Sequence, residues 1–335
     1  MTQVQQGFVQ VSACPLCAGE AQKPVKGTSW KGVAFSYVIC ETCGLKFMNP
    51  RPTQERMHAF FREQYWQENL SATGFPTVPG YDDKEVNQLE LRMPKYKRAY
   101  QIVSGHLSSI ALTSSTRVLE VGCAFGYTLE WLHRDHGAKV FGIEPSSAAL
   151  ERCREAGCIE IVAGSAEEYF VGKKDVPEQQ RYDLVLFRHT LETLIDPLPV
   201  LRGVREYLAR DGTLLVYSPN VEFYDLMSPF TPFVYSPETL TRMLAAAGLE
   251  VYRTDVPESP TDRHVALRVK PRYEICAFAR RGEVNTNYQP ADVKRIQRTI
   301  ALGNASSTWA QLSTRELLML LRIKLAKRIS SQLGR

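Results

Sequence analysis

Residues 117–126, Arg117-Val-Leu-Glu-Val-Gly-Cys-Ala-Phe-Gly126, decide the fold. A short apolar run carrying one acid, Glu120, turns through Gly122 and Gly126 into a helical stretch over 128–137. Glycine at such a turn lets the backbone bend tightly and approach a ligand closely. The same alternation continues along the chain. Strands are expected at 117–122, 138–144, 159–164, 182–187, 212–218, 249–255 and 273–280, with helices at 128–137, 146–157 and 197–212 between the early ones. Short apolar strands alternating with helices imply an α/β fold, a mostly parallel sheet covered on both faces.

Outward from this core the chain divides into four expected segments. Residues 1–50 hold paired cysteines between β-like runs such as 33–40. Residues 51–110 read as a helical cap or linker, residues 111–281 as the α/β domain, and residues 282–335 as a linker and basic amphipathic helix. Hydrophobic residues make up 44% of the sequence, enough for a buried core.

Cys14-Pro-Leu-Cys17 and Cys40-Glu-Thr-Cys43 are two C-x2-C units separated by 22 residues. Two such turns can set four thiolates at the corners of a tetrahedron, which points to a closed structural Zn²⁺ site in a small ribbon. Gly44 follows the second pair, where a turn closing on a metal needs positive φ. Cys123, Cys153, Cys158 and Cys276 are scattered, as in a reduced cytosolic protein, and are read as small buried hydrophobes.

The turn after Val121 is not a G-x-G-x-x-G loop, and the acid just before it in the same motif, Glu120, disfavours a pyrophosphate while suiting an α-ammonium group. The second strand ends at Glu144-Pro145, where an acid can accept both hydroxyls of a ribose. The third is followed by Ala166-Glu167, a small residue and a carboxylate placed to read an adenine edge. Three such features at successive strand ends share the carboxyl edge of one sheet.

The runs 120–126, 142–146, 164–168, 182–197 and 212–220 occur in the order and spacing of class I S-adenosylmethionine-dependent methyltransferases, which the chain resembles over 117–281. The resemblance implies a Rossmann-like seven-stranded sheet with a reversed last strand at 273–280. It also implies that Glu120, Gly122, Ala124 and Gly126 hold the methionine part of the donor, Glu144 the ribose, and Ala166 and Glu167 the adenine. Cys123, Pro145 and Arg188 fall within the same donor-site motifs. Ala124 stands where the family usually has its middle glycine. The ribbon followed by Phe47-Met-Asn49-Pro50-Arg51-Pro52 resembles zinc-ribbon-fronted methyltransferases, a group that includes sugar C-methyltransferases and relatives acting on glycans or natural products.

His189, just past the fourth strand in Arg188-His189-Thr-Leu-Glu192, is the candidate general base, with a pocket-lining or structural role as the alternative. Tyr65 and Trp66 in the cap, and Tyr217, Asn220, Phe223 and Tyr235 after the fifth strand, are weaker candidates for an aromatic substrate wall. The remaining histidines, His58, His106, His133, His136 and His264, are read as surface or packing.

From residue 291 on, nine Lys/Arg face two acids, so the formal charge of +5 belongs to the tail and the body is slightly acidic. This disfavours nucleic acid as partner, and the resemblance implies a small-molecule or glycan acceptor. Leu317, Leu321, Leu325, Ile329 and Leu333 recur every four residues among basic side chains, an amphipathic helix suited to self-association or to peripheral contact with an anionic membrane. Neither a signal peptide nor a membrane span is read from the sequence, so the expected location is cytoplasmic, with the membrane surface as the option the tail adds. Methylation of RNA or protein, and a non-catalytic zinc-ribbon binding module, are the competing functions.

Overall fold

The computed structural model describes residues 7–30, 33–65, 97, 100–108, 110–221, 230–257 and 274–286. The readings of Trp66, Phe223, His264 and the basic tail lie outside these residues. The N-terminal part begins with β1 (Phe8–Val9), β2 (Gln22–Trp30), β3 (Val33–Cys40), β4 (Lys46–Met48) and β5 (Arg51–Pro52). Helix α1 (Gln54–Ala59) follows, capped by Thr53 and continued by a wider turn over Phe60–Gln64. A further helical segment, α2, covers 100–107.

The α/β part contains β6 (Arg117–Val121), α3 (Tyr127–His136), β7 (Lys139–Ile143), α4 (Ser147–Ala156), β8 (Ile159–Ala163), α5 (Ala166–Phe170) and β9 (Tyr182–Arg188). Then come α6 (Pro197–Tyr207), β10 (Leu208–Pro219), β11 (Phe233–Val234), α7 (Pro237–Ala246), β12 (Leu249–Asp255) and β13 (Glu274–Arg281). Seven strands form one sheet in the order β12-β13-β10-β9-β6-β7-β8. Strands β8, β7, β6, β9 and β10 are parallel, and β13 runs antiparallel between β10 and β12.

The central strands are apolar on both faces because both are covered. Leu119, Val185 and Val216 enter one core, while Val118, Leu184, Leu186 and Leu215 enter the other. Every strand read from the sequence in this region is present. Several boundaries and three elements differ, the five-residue α5 among them. Helix α6 stops at Tyr207 rather than 212, because Leu208 is fully buried and pairs with Tyr182, starting β10 early. Helix α7, opened by a Ser236–Thr239 capping box, and the two-residue β11 were not anticipated.

The unanticipated β11 joins the N-terminal ribbon to the body. It pairs with β4 to complete a four-stranded sheet ordered β11-β4-β3-β2. Tyr37 donates its hydroxyl hydrogen bond to Thr231 O at 2.6 Å, Arg51 donates to Ile195 O at 2.6 Å, and Arg242 donates to Cys43 O at 2.8 Å. Cys14, Leu16, Cys43 and Phe47 of the ribbon share one hydrophobic cluster with Phe233, Leu240 and Met243 of the body. Among the described residues, no helix is long and apolar enough to cross a membrane.

Candidate active site

The loop after β6 takes positive φ at Gly122 (71°), Ala124 (50°) and Gly126 (72°). A Cβ at Gly122 would come 2.3 Å from Thr190 Oγ1, so this position has neither the conformation nor the space for a side chain. Ala124 bears the left-handed conformation with its methyl group, at a cost of about 1 kcal/mol. Its N–H donates to Glu144 Oε2 at 2.9 Å, and the Ser146 N–H donates to Glu144 Oε1 at 3.0 Å. Glu144 is thereby fixed between two successive loops, with Pro145 beside it. Burial pushes its carboxyl up to about 7, against the pull of the two amides.

Glu120 is fully buried at the end of β6. Arg188 Nε donates to its Oε1 at 3.3 Å, and Arg188 also reaches Thr128 Oγ1 at 3.3 Å. Glu120 and Arg188, read separately from the sequence, thus form an ion pair. The second oxygen, Oε2, has no hydrogen-bond partner among the described residues. Burial raises the Glu120 pKa, and Arg188 opposes the rise.

Cys123 is buried. A Cβ at Gly142 would lie 2.7 Å from its sulfur, so the thiol turns back onto the sheet. Ala166 is buried at the start of α5, and Glu167 beside it pairs with His58 Nε2 at 3.2 Å. His58, expected at the surface or in packing, instead ties α1 to α5. Its pKa is raised by the hydrogen bond with Glu167.

His189 has φ 56°, a strained conformation for a non-glycine residue and one that recurs at functional turns. Its Nε2 lies 2.8 Å from Glu274 Oε1 and its Nδ1 3.5 Å from Glu192 Oε1, while 49% of the side chain stays exposed. Desolvation works against its charge, but the bonds to Glu192 and Glu274 outweigh it and raise its pKa to about 9. Of the two roles expected for it, general base or pocket-lining residue, this arrangement favours the second: at neutral pH the ring is a cation with both nitrogens facing carboxylates. Glu192 Oε2 is buried without a hydrogen-bond partner among the described residues. Sequence reading missed both carboxylates as site residues. Glu192 had a local signal, three residues from His189; Glu274 arrives from a distant strand and had none.

Among the described residues the aromatic wall is not formed as expected. Tyr217, Asn220 and Tyr235 are buried, and Tyr235 pairs with Asn220 through a β-bridge. The Tyr235 hydroxyl has no hydrogen-bond partner among the described residues, whereas Tyr217 OH lies 2.9 Å from His106 Nδ1. Tyr65 packs on Phe60 and Phe61 with ring centroids 5.9 and 5.1 Å away.

At the other end of the ribbon, the sulfurs of Cys14, Cys17, Cys40 and Cys43 all lie within 4.8 Å of one another, with Cys14–Cys43 at 3.6 Å and Cys17–Cys40 at 3.5 Å. A tetrahedron with bonds of about 2.3 Å has edges of about 3.8 Å, so the donor set fits Zn²⁺. Each pair is turned by a backbone bond, Ala18 N–H to Cys14 O and Gly44 N–H to Cys40 O, both at 2.9 Å. Gly44 has φ 79°, as its place in the sequence implied, and Ala18 adopts 57° without being glycine.

Residues 95–254 match the family described as "Methyltransferase domain". This segment is a methyltransferase domain. The methyltransferase domain is also similar to the ubiquinone biosynthesis O-methyltransferase of Histophilus somni, 30% identical over 111 residues, covering 32% of this chain and 46% of that protein. A tRNA U34 carboxymethyltransferase of Idiomarina loihiensis is 29% identical over 126 residues, covering 37% of this chain and 38% of that protein. The chain spans less than half the length of these curated relatives. A chain in the solved complex of the Haloferax volcanii Trm112 methyltransferase activator with a methyltransferase superposes with a TM-score of 0.48 at 14% identity, covering 60% of this chain and 97% of that one.

Proposed function

We propose that the protein transfers a methyl group from S-adenosylmethionine to a hydroxyl of a small-molecule or sugar acceptor. The observation that carries this reading is the pair of acids at adjacent strand ends. Glu120 is buried with one oxygen unpartnered among the described residues, and Glu144 is aimed by two backbone amides. Glu120 suits the donor's α-ammonium group, Glu144 the ribose hydroxyls, and Ala166 with Glu167 the adenine edge. Bound there, the donor supplies a methyl carbon made electrophilic by its sulfonium. The chain's residues position the acceptor against it, which can account for most of the acceleration. His189, held between Glu192 and Glu274, would help to position the acceptor at this edge of the sheet. The four cysteines would hold a structural Zn²⁺ with no open position, so the metal takes no part in the chemistry.

The small-molecule reading draws on the slightly acidic body and the relatives named for ubiquinone biosynthesis. The relative named as a tRNA carboxymethyltransferase, together with the basic tail, supports a second reading in which RNA is the acceptor. Incubation with methyl-labelled donor and extract fractions of glycans, nucleotide sugars, RNA and small metabolites separates the two. Label in the glycan, nucleotide-sugar or metabolite fractions supports the proposal, and label confined to RNA replaces it with the second reading.

A further inference from the structure

Methylating a hydroxyl releases a proton, and an unprotonated base must take it. His189 is badly arranged for that task, since both its nitrogens face carboxylates. A second histidine stands at the same edge of the sheet. The strand registers align Arg188, Tyr217, Cys276 and Asp255 side by side across β9, β10, β13 and β12, so these side chains form one row on one face. His106, on α2, covers that row. Its Nδ1 lies 2.9 Å from Tyr217 OH and 3.7 Å from Cys276 Sγ, and its Nε2 lies 3.7 Å from Asp255 Oδ2. Asp255 is paired in turn with Arg253 at 2.6 Å. One end of the row is Arg188, which holds Glu120 at the donor loop. Glu274, which holds His189, lies two residues from Cys276 on β13 and so faces the same side.

We propose that Tyr217 and His106 form a proton relay from the acceptor, with His106 as its terminal base and Asp255 as the counter-ion. The relay rests on the methyl-transfer reading above. In the step, the acceptor oxygen forms a bond to the methyl carbon as the carbon–sulfur bond breaks, and that electron pair stays on sulfur. The acceptor proton moves to the Tyr217 oxygen while the phenolic proton passes to His106 Nδ1. The positive charge lost from the sulfonium reappears on His106, beside Asp255, and no further reagent is consumed.

The groups around His106 fit this role. Burial lowers its pKa, with Asp255 and Glu274 pulling it up and Arg253 pulling it down, so it stands neutral at pH 7. Burial pushes the Cys276 thiol up to about 12 and raises Tyr217 above its ordinary value, so both keep their protons at rest. One histidine is therefore held as a cation and the other as a free base, a division that assigns acid and base roles at one site.

The test uses the full-length protein and labelled S-adenosylmethionine at saturation, with the extract fraction that accepts most label as the acceptor probe. Wild-type rate should fall on the acid side with an apparent pKa below the ordinary histidine value of about 6.5. His106→Gln should remove that limb and lower the rate on the order of a hundredfold, with donor affinity unchanged by calorimetry. Tyr217→Phe should do the same, and Asp255→Asn should move the limb to lower pH. Retention of the limb in His106→Gln, or equal loss of rate and donor affinity in all three variants, overturns the relay. Independently of any acceptor, ¹⁵N chemical shifts of the His106 ring must show it neutral at pH 7, and an imidazolium there also overturns it. Absence of label in every fraction, with His106 neutral and donor bound, refutes the methyl-transfer reading and removes the relay's foundation with it.

Discussion

Glu274 Oε1 lies 2.8 Å from His189 Nε2, so the first residue of the reversed strand β13 grips the turn that follows β9. Two residues 85 positions apart in sequence thus form one acid–histidine pair at the sheet's carboxyl edge. The pair fixes the charge of His189, and that charge is measurable.

Replacing Glu274 with Gln removes one of the two carboxylates that raise the His189 pKa to about 9. An NMR titration should place His189 lower in the variant, with Glu192 keeping it above the ordinary value. The sign for stability follows from linkage. A raised folded-state pKa stabilises fully below the unfolded value of about 6.5, and that gain is lost as pH rises through the folded value. Thermal unfolding of Glu274→Gln should therefore differ most from wild type near pH 6 and least above pH 9.

Glu144 titrates near 7 because burial disfavours its charge. Only the ionised carboxylate can accept from both ribose hydroxyls while it holds the amides of Ala124 and Ser146. Donor affinity should weaken as pH falls below about 7 and level off above it. Glu144→Gln should flatten this dependence and cost about 10- to 100-fold in affinity at pH 8, the worth of a charged hydrogen bond. Calorimetric titration across pH 5.5–8.5 checks both.

Ala124 adopts φ 50°, where glycine is unstrained. Ala124→Gly should leave donor affinity unchanged and shift unfolding free energy by no more than about 1 kcal/mol, toward stability where relief of strain exceeds the entropy of the freer unfolded chain. Gly122→Ala should behave oppositely, because the new methyl group collides with Thr190. Denaturant melts of the two variants make the comparison.

The ribbon and body share a sheet and a core through β11, Phe47 and Phe233. Removal of zinc by a chelator, or Cys40→Ser, should therefore lower the melting temperature of the whole described fold. An isolated early transition that leaves the methyltransferase domain unchanged is the contrary outcome. Elemental analysis of the purified chain provides the accompanying metal count.

The strands of the large sheet were legible because each is an apolar run bounded by turn residues, as at 117–122 and 182–187. The reversed β13 was legible through the family resemblance. The paired cysteines revealed their cluster through spacing. What escaped reading was set by tertiary contact. Phe233–Val234 is too short to show a period, and becomes a strand only because β4 offers it an edge. Glu274 and His106 meet their partners through strand register and helix docking, which no local pattern encodes. Asn220 and Tyr235 looked available for a substrate as polar and aromatic residues after a strand, but the surrounding core buries them, and the buried Tyr217 ring turns its hydroxyl to His106, a partner no local pattern announces.

The account stands on a donor cleft built from Glu120 and Glu144. Titrating S-adenosylhomocysteine into the full-length, zinc-loaded protein by calorimetry at pH 8 tests it most directly. The expected result is one saturable site in wild type, weakened in Glu144→Gln and in Glu120→Gln. Absence of heat from a folded, metal-loaded chain, or identical affinity in wild type and both variants, would contradict it.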